Sequence, residues 1–162
     1  MASFIAALMG MKSAEKDSGE GLIQVGFWKD IKALFDLSGN PDPRELSNPA
    51  WYEGWAEPIA RYLDSGNVVE SWLGCSYCRF GCENVDMGSR DLSDGVYFWP
   101  EGLSHYVRAH GVILPREFIR HVLLKVNGAD RSVPGNHGPE ELIQGVDSRM
   151  RRFNLTFFPW RR

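Results

Sequence analysis

Cysteine is scarce in this chain, long apolar runs and internal repeats are missing, and each shortage excludes something. Only three of the 162 residues are cysteine, all between Cys75 and Cys82. An odd, clustered set cannot build the even, dispersed disulfide framework of a small secreted domain. A reducing cytosol, with the thiols buried or bound to metal, is the expected setting. No stretch approaches the roughly 20 apolar residues of a membrane span. The apolar opening from Met1 to Gly10 lacks the basic flank and the length of a signal peptide.

A strong charge of one sign is also missing. The net charge is −3, made of −4 over residues 1–81 (11 acids, 7 bases) and +1 over residues 82–162 (10 acids, 11 bases). Nucleic-acid binders draw most of their affinity from phosphate neutralisation by a basic face. Here only Arg149, Arg151, Arg152, Arg161 and Arg162, in the last 14 residues, offer one. Nucleic acid is therefore a poor candidate partner. The sequence contains no Gly-x-Ser-x-Gly, Walker A loop, dinucleotide fingerprint or His-Glu-x-x-His. Without a catalytic motif, a non-catalytic role is favoured.

What is present suits one globular unit. Apolar residues at 43% and charged residues at 24% fit a soluble folded chain rather than a disordered one. Six Trp and nine Phe, each able to bury roughly 150–250 Å², supply a firm core. The expected organisation is a flexible leader over 1–21, a single α+β domain over 22–148 and a basic aromatic tail over 149–162.

Trp28, Ile31, Leu34 and Phe35 recur at helical spacing and predict a helix over Phe27–Leu37. Asn48-Pro49 reads as a helix start, and Trp51, Trp55, Ile59, Tyr62 and Leu63 follow on one stripe that Pro58 must kink or split. Val68, Val69, Ser71 and Trp72 favour a strand, with Gly74–Gly81 as a tight turn. Asp94-Gly95 before Val96-Tyr97-Phe98-Trp99 is a hairpin signal of the type I′ kind. A small antiparallel meander over about 67–99, packed against flanking helices, is therefore expected. Helices at Glu101–His110, stopped by Gly111, and after Pro115 complete the domain. Asp86, Asp91 and Asp94 read as turn residues, because their spacing fits no calcium loop.

One stretch carries distinct chemistry. Two residues separate Cys75 from Cys78, three separate Cys78 from Cys82, and four separate His105 from His110. Thiols on a turn and imidazoles on a helix form the donor set of a structural zinc site, since zinc takes four S and N ligands tetrahedrally. Two features strain the match. Twenty-two residues separate Cys82 from His105, and positions 105 and 110 differ by about 140° around an ideal helix. Two ligand sets stay open: two thiols with both histidines if the helix end unwinds, or Cys75, Cys78 and Cys82 with one histidine. The same residues also suit a turn of small buried hydrophobes, with His110 favoured in its charged form by the helix dipole.

The segment from Met87 to Val107 resembles a group of small uncharacterised proteins. In these a Cys-Arg-x-Cys turn precedes an Asp-Gly hairpin and a Trp-Pro-Glu-Gly-Leu helix. The likeness continues through Leu114-Pro-Arg-Glu-Phe118 and covers roughly a quarter of the chain. In this sequence Gly81 lengthens the cysteine turn by one residue. The resemblance implies no activity.

Three functions follow. A protein-binding or assembly module, with or without a structural zinc, is favoured by the missing catalytic motifs and by the tail. Phe153, Phe157, Phe158, Trp160 and Arg161 there alternate in part like a strand and could join a partner's sheet edge or close the chain's own core. A small Cys/His or metal-dependent enzyme would need His105, His110 or His121 beside a thiol in a pocket. A weak nucleic-acid or anionic-surface binder would act through the tail arginines.

Overall fold

The computed structural model describes residues 21–52, 54–129 and 144. The expected leader and tail, including Phe153, Phe157, Phe158, Trp160 and Arg161, lie outside the described residues, apart from Gly21. Among the described residues four strands and three α-helices form an α+β fold: β1 (Ile23–Gln24), α1 (Ala56–Asp64), β2 (Asn67–Ser71), β3 (Arg90–Ser93), β4 (Tyr97–Pro100), α2 (Leu103–His110) and α3 (Arg116–Ala129). No helix among them is long and apolar enough to cross a membrane.

The sheet has the order β1-β4-β3-β2. β2, β3 and β4 form the expected antiparallel meander, with Leu92 opposite Trp99 and Val68 opposite Leu92. β1 makes the sheet mixed, because it runs parallel to β4, with the Ile23 and Val25 amides donating to Val96 and Phe98 carbonyls. A strand of two residues is too short to show alternation in sequence.

The β3–β4 turn differs from the expected type I′. Gly95 alone has positive φ (+88°), and the Asp94 carboxylate accepts the Val96 and Tyr97 amides at 2.9 and 2.8 Å. A three-residue connection held by an aspartate side chain replaces the two-residue one. The β2–β3 link is no tight turn either. It is an excursion over residues 72–89, laced at its base by Trp72 N–H to Ser89 O and Ser76 N–H to Gly88 O.

The helix expected over 27–37 does not form. Asp30 and Asp36 divert the backbone: Lys32 donates to Asp30 Oδ1, Ser38 to Asp36 Oδ1 and Asp30 itself to Asp36 Oδ2. Local side-chain acceptors of this kind compete with helical bonds. Trp28 is buried, whereas Leu34, Phe35 and Leu37 stand in solvent. The Trp51–Leu63 stripe is split, though not by Pro58 as expected, into a 3-10 turn over Pro49–Tyr52 and α1. The break falls at Gly54 (φ +79°), and Pro58 sits in the first turn of α1, where its missing N–H costs no bond.

The core lies between the sheet and the helices. Trp99 is wholly buried, donates its indole N–H to Leu63 O and meets Phe118 of α3. α3 contributes Phe118, Ile119, Val122 and Leu123, and α1 contributes Ile59, Ala60 and Leu63. Tyr52, fully enclosed, bridges Val112 O and the Leu114 amide, and burial pushes its phenol well above the usual range.

Candidate metal centre

The site is built from the 72–89 excursion and α2. The excursion docks on α2 around the buried Tyr106 hydroxyl, which accepts the Arg79 N–H at 3.0 Å and donates to Tyr77 O at 3.5 Å. Gly81 N–H donates to Cys78 O and closes a turn that turns both thiols inward. Phe80, inside this turn, lies flat on the His110 ring with centroids 3.8 Å apart and planes at 4°.

α2 ends where the sequence says it should. Gly111 takes the left-handed conformation (φ 55°, ψ 37°), and Ser47 Oγ donates to His110 O. His110 is thereby fixed as the last helical residue, facing the cysteine turn.

Four donor atoms converge. Cys78 Sγ and Cys82 Sγ lie 3.4 and 3.3 Å from His110 Nε2, which is 3.2 Å from His105 Nε2. All four lie within 4.8 Å of one another. Tetrahedral zinc with bonds of about 2.0–2.3 Å sets its ligand atoms about 3.3–3.8 Å apart, close to the three distances from His110 Nε2. The 140° between positions 105 and 110 is bridged by the side chains, whose far ring nitrogens meet at one point. α2 stays helical through His110 and needs no unwinding. The long gap from Cys82 to His105 holds the β3–β4 hairpin. Cys75 is exposed and outside this group, so the set brought together is two thiols with both histidines.

Electrostatics prepare the imidazoles but work against the Cys82 thiolate. Burial pulls both imidazoles below their ordinary range, with repulsion from His105 adding at His110, so both keep a free lone pair at neutral pH. Burial also pushes the Cys82 thiol up, reinforced by its hydrogen bond to Cys78 and the charge there. Two sulfurs and two nitrogens would supply the four ligands that a tetrahedral ion takes.

The third candidate histidine is elsewhere. His121 Nε2 lies 2.6 Å from Asp94 Oδ2, which also accepts the Tyr62 hydroxyl at 2.5 Å. Of the three aspartates read as turn residues, Asp86 and Asp94 serve loops, whereas Asp91 is buried in β3. Sequence reasoning did not reach Phe80 or Tyr106, the two side chains that seat the cysteine turn. An aromatic between two thiols was the available signal for Phe80. No protein-family profile, curated protein or solved structure matches the chain.

Proposed function

We propose that this protein is a non-catalytic binding or assembly module in which one zinc ion, held by Cys78, Cys82, His105 and His110, ties the 72–89 excursion to α2. The observation that carries the zinc reading is the convergence of four S and N donors within 4.8 Å. Thiolate with imidazole is the donor mixture that favours zinc over the oxygen-seeking ions. A filled tetrahedron supports a structural role over a catalytic one, and a reducing cytosol is the compartment that keeps both sulfurs free to ligate.

Elemental analysis of purified protein tests this reading. One zinc per chain is expected, lost in Cys78→Ser and retained in Cys75→Ser. A metal-free wild type, or loss of metal in Cys75→Ser alone, overturns it.

The module reading rests on large apolar side chains left in water. Leu34, Phe35 and Leu37 are 88%, 81% and 96% exposed, a display that marks contact surfaces when it is contiguous. The partner we infer is another protein, engaged by these residues and by the 149–162 tail. Deleting residues 149–162 is expected to leave the melting temperature within about 2 °C of the full chain, a change of under roughly 1 kcal/mol. A large drop would mean that the tail closes its own core.

A further inference from the structure

A cleft of about 390 Å³ opens between the Gly26–Trp28 segment, the 72–79 stretch and the sheet, on the side of the excursion that carries Cys75. Its size is that of a small-ligand site rather than a peptide groove. Phe27, Trp28, Trp72 and Tyr106 give it aromatic walls.

The polar group that stands out there is Asp91. It lines the cleft from β3, opposite Glu70 and Pro100 in the ladder, and is only 4% exposed. Its sole hydrogen bond among the described residues comes from the neutral Trp72 indole, to Oδ2 at 2.9 Å. It pairs with no cation among them. Buried carboxylates are normally matched by a positive group, because desolvation without a partner is costly. Burial pushes the Asp91 carboxyl up, and the neighbouring Glu70 charge adds to this, the field that an incoming cation would relieve.

The two guanidiniums on the cleft are already satisfied. Arg90 is engaged by Glu101 through both carboxylate oxygens. Arg79 lies over the Tyr77 ring and donates to Ser76 Oγ and the Tyr77 and Lys29 carbonyls. What the site lacks is a donor cation beside Asp91. The Trp28 indole N–H, also buried, has no hydrogen-bond partner among the described residues.

We propose that this cleft binds a small organic amine, its ammonium on the Asp91 carboxylate and its apolar stem between the aromatic walls. Ammonium over indole adds cation–π attraction to the charged hydrogen bond.

The test uses the full chain as purified and follows tryptophan fluorescence, to which half-exposed Trp72 contributes. Three probes with the same phenylethyl body are titrated: phenethylamine, 2-phenylethanol and 3-phenylpropanoate. Phenethylamine is expected to bind about 10–100-fold more tightly than the alcohol, the effect of one charged hydrogen bond. Asp91→Asn should abolish that preference. Should Asp91→Asn fail to fold, Trp72→Ala, at a half-exposed position, is expected to weaken phenethylamine about tenfold or more. Equal binding of amine and alcohol overturns the proposal. So does preference for the carboxylate, which would assign the cleft to Arg79 and Arg90. Binding of an acetylated lysine peptide without binding of phenethylamine also overturns it. Metal content is measured on the same sample, so failure of the zinc reading shows separately.

Discussion

Phe80 lies parallel to the His110 ring and fixes the imidazole without touching a ligand position on it. Outer-shell contacts of this kind orient ligands, and losing one costs about 10–100-fold in metal affinity. On the proposed zinc reading, Phe80→Ala should keep one zinc per chain while surrendering it to a competing chromogenic chelator about 10–100-fold more readily. An unchanged competition curve would show that the stacking does not hold the ring. The five candidate ligands, Cys75, Cys78, Cys82, His105 and His110, were legible because thiols and imidazoles are rare and their types alone suggest the chemistry. Choosing among them was not. Spacing favours Cys75 as strongly as Cys82, and only the path of the excursion puts Cys75 outside and Cys82 inside. Angular arithmetic on α2 also misjudged His105, because it follows the helix axis and ignores the reach of an imidazole.

At the scale of elements, Gly111 has the most constrained position. A Cβ there would come within 2.6 Å of Pro49 Cα and 2.7 Å of Asn48 O, both backbone, at a φ of +55° that side chains resist. Strain in that region costs about 1–2 kcal/mol before any clash. Gly111→Ala is expected to destabilise by roughly 2 kcal/mol or more, lowering the melting temperature by about 4–8 °C. It should also disturb His110, one residue away, so that on the proposed zinc reading metal occupancy falls in step. Calorimetry and metal content read both. Elements with a stop signal or continuous apolar spacing were legible: α2 with Gly111, α3 with Phe118, Ile119, Val122 and Leu123, and the hairpin at Gly95. The stretch over 27–37 was not, since its apolar spacing suits a helix while Asp30 and Asp36 capture the amides that the helix needs. β1 depends on β4 for its existence and left no local trace.

Across the whole molecule, Asp94 links parts far apart in sequence. From the β3–β4 turn it accepts Tyr62 of α1 and lies against His121 of α3. Burial alone would raise its carboxyl, but the Tyr62 hydroxyl, the Tyr97 and Val96 amides and His121 together hold it below the ordinary range. A carboxyl lowered on folding stabilises the native state above its unfolded value, about 3.9, and that contribution fades as pH falls through the lower folded value. Acid should accordingly unfold the wild type progressively below about pH 4. Asp94→Asn should be less stable at pH 7 by on the order of 1–3 kcal/mol, with a smaller further loss down to pH 2. Urea titrations at pH 7 and pH 2.5 check this; parallel pH profiles for the two proteins would count against the linkage.

The β3–β4 hairpin sits between the two thiols and the two imidazoles, and this fixes an order of events. During synthesis the thiols emerge first, and 22 more residues must follow Cys82 before His105 appears. Until His105 and His110 are made, only the two thiols of the converging set are present. On the zinc reading proposed above, capture by all four donors would follow the making of the hairpin and α2, not precede it.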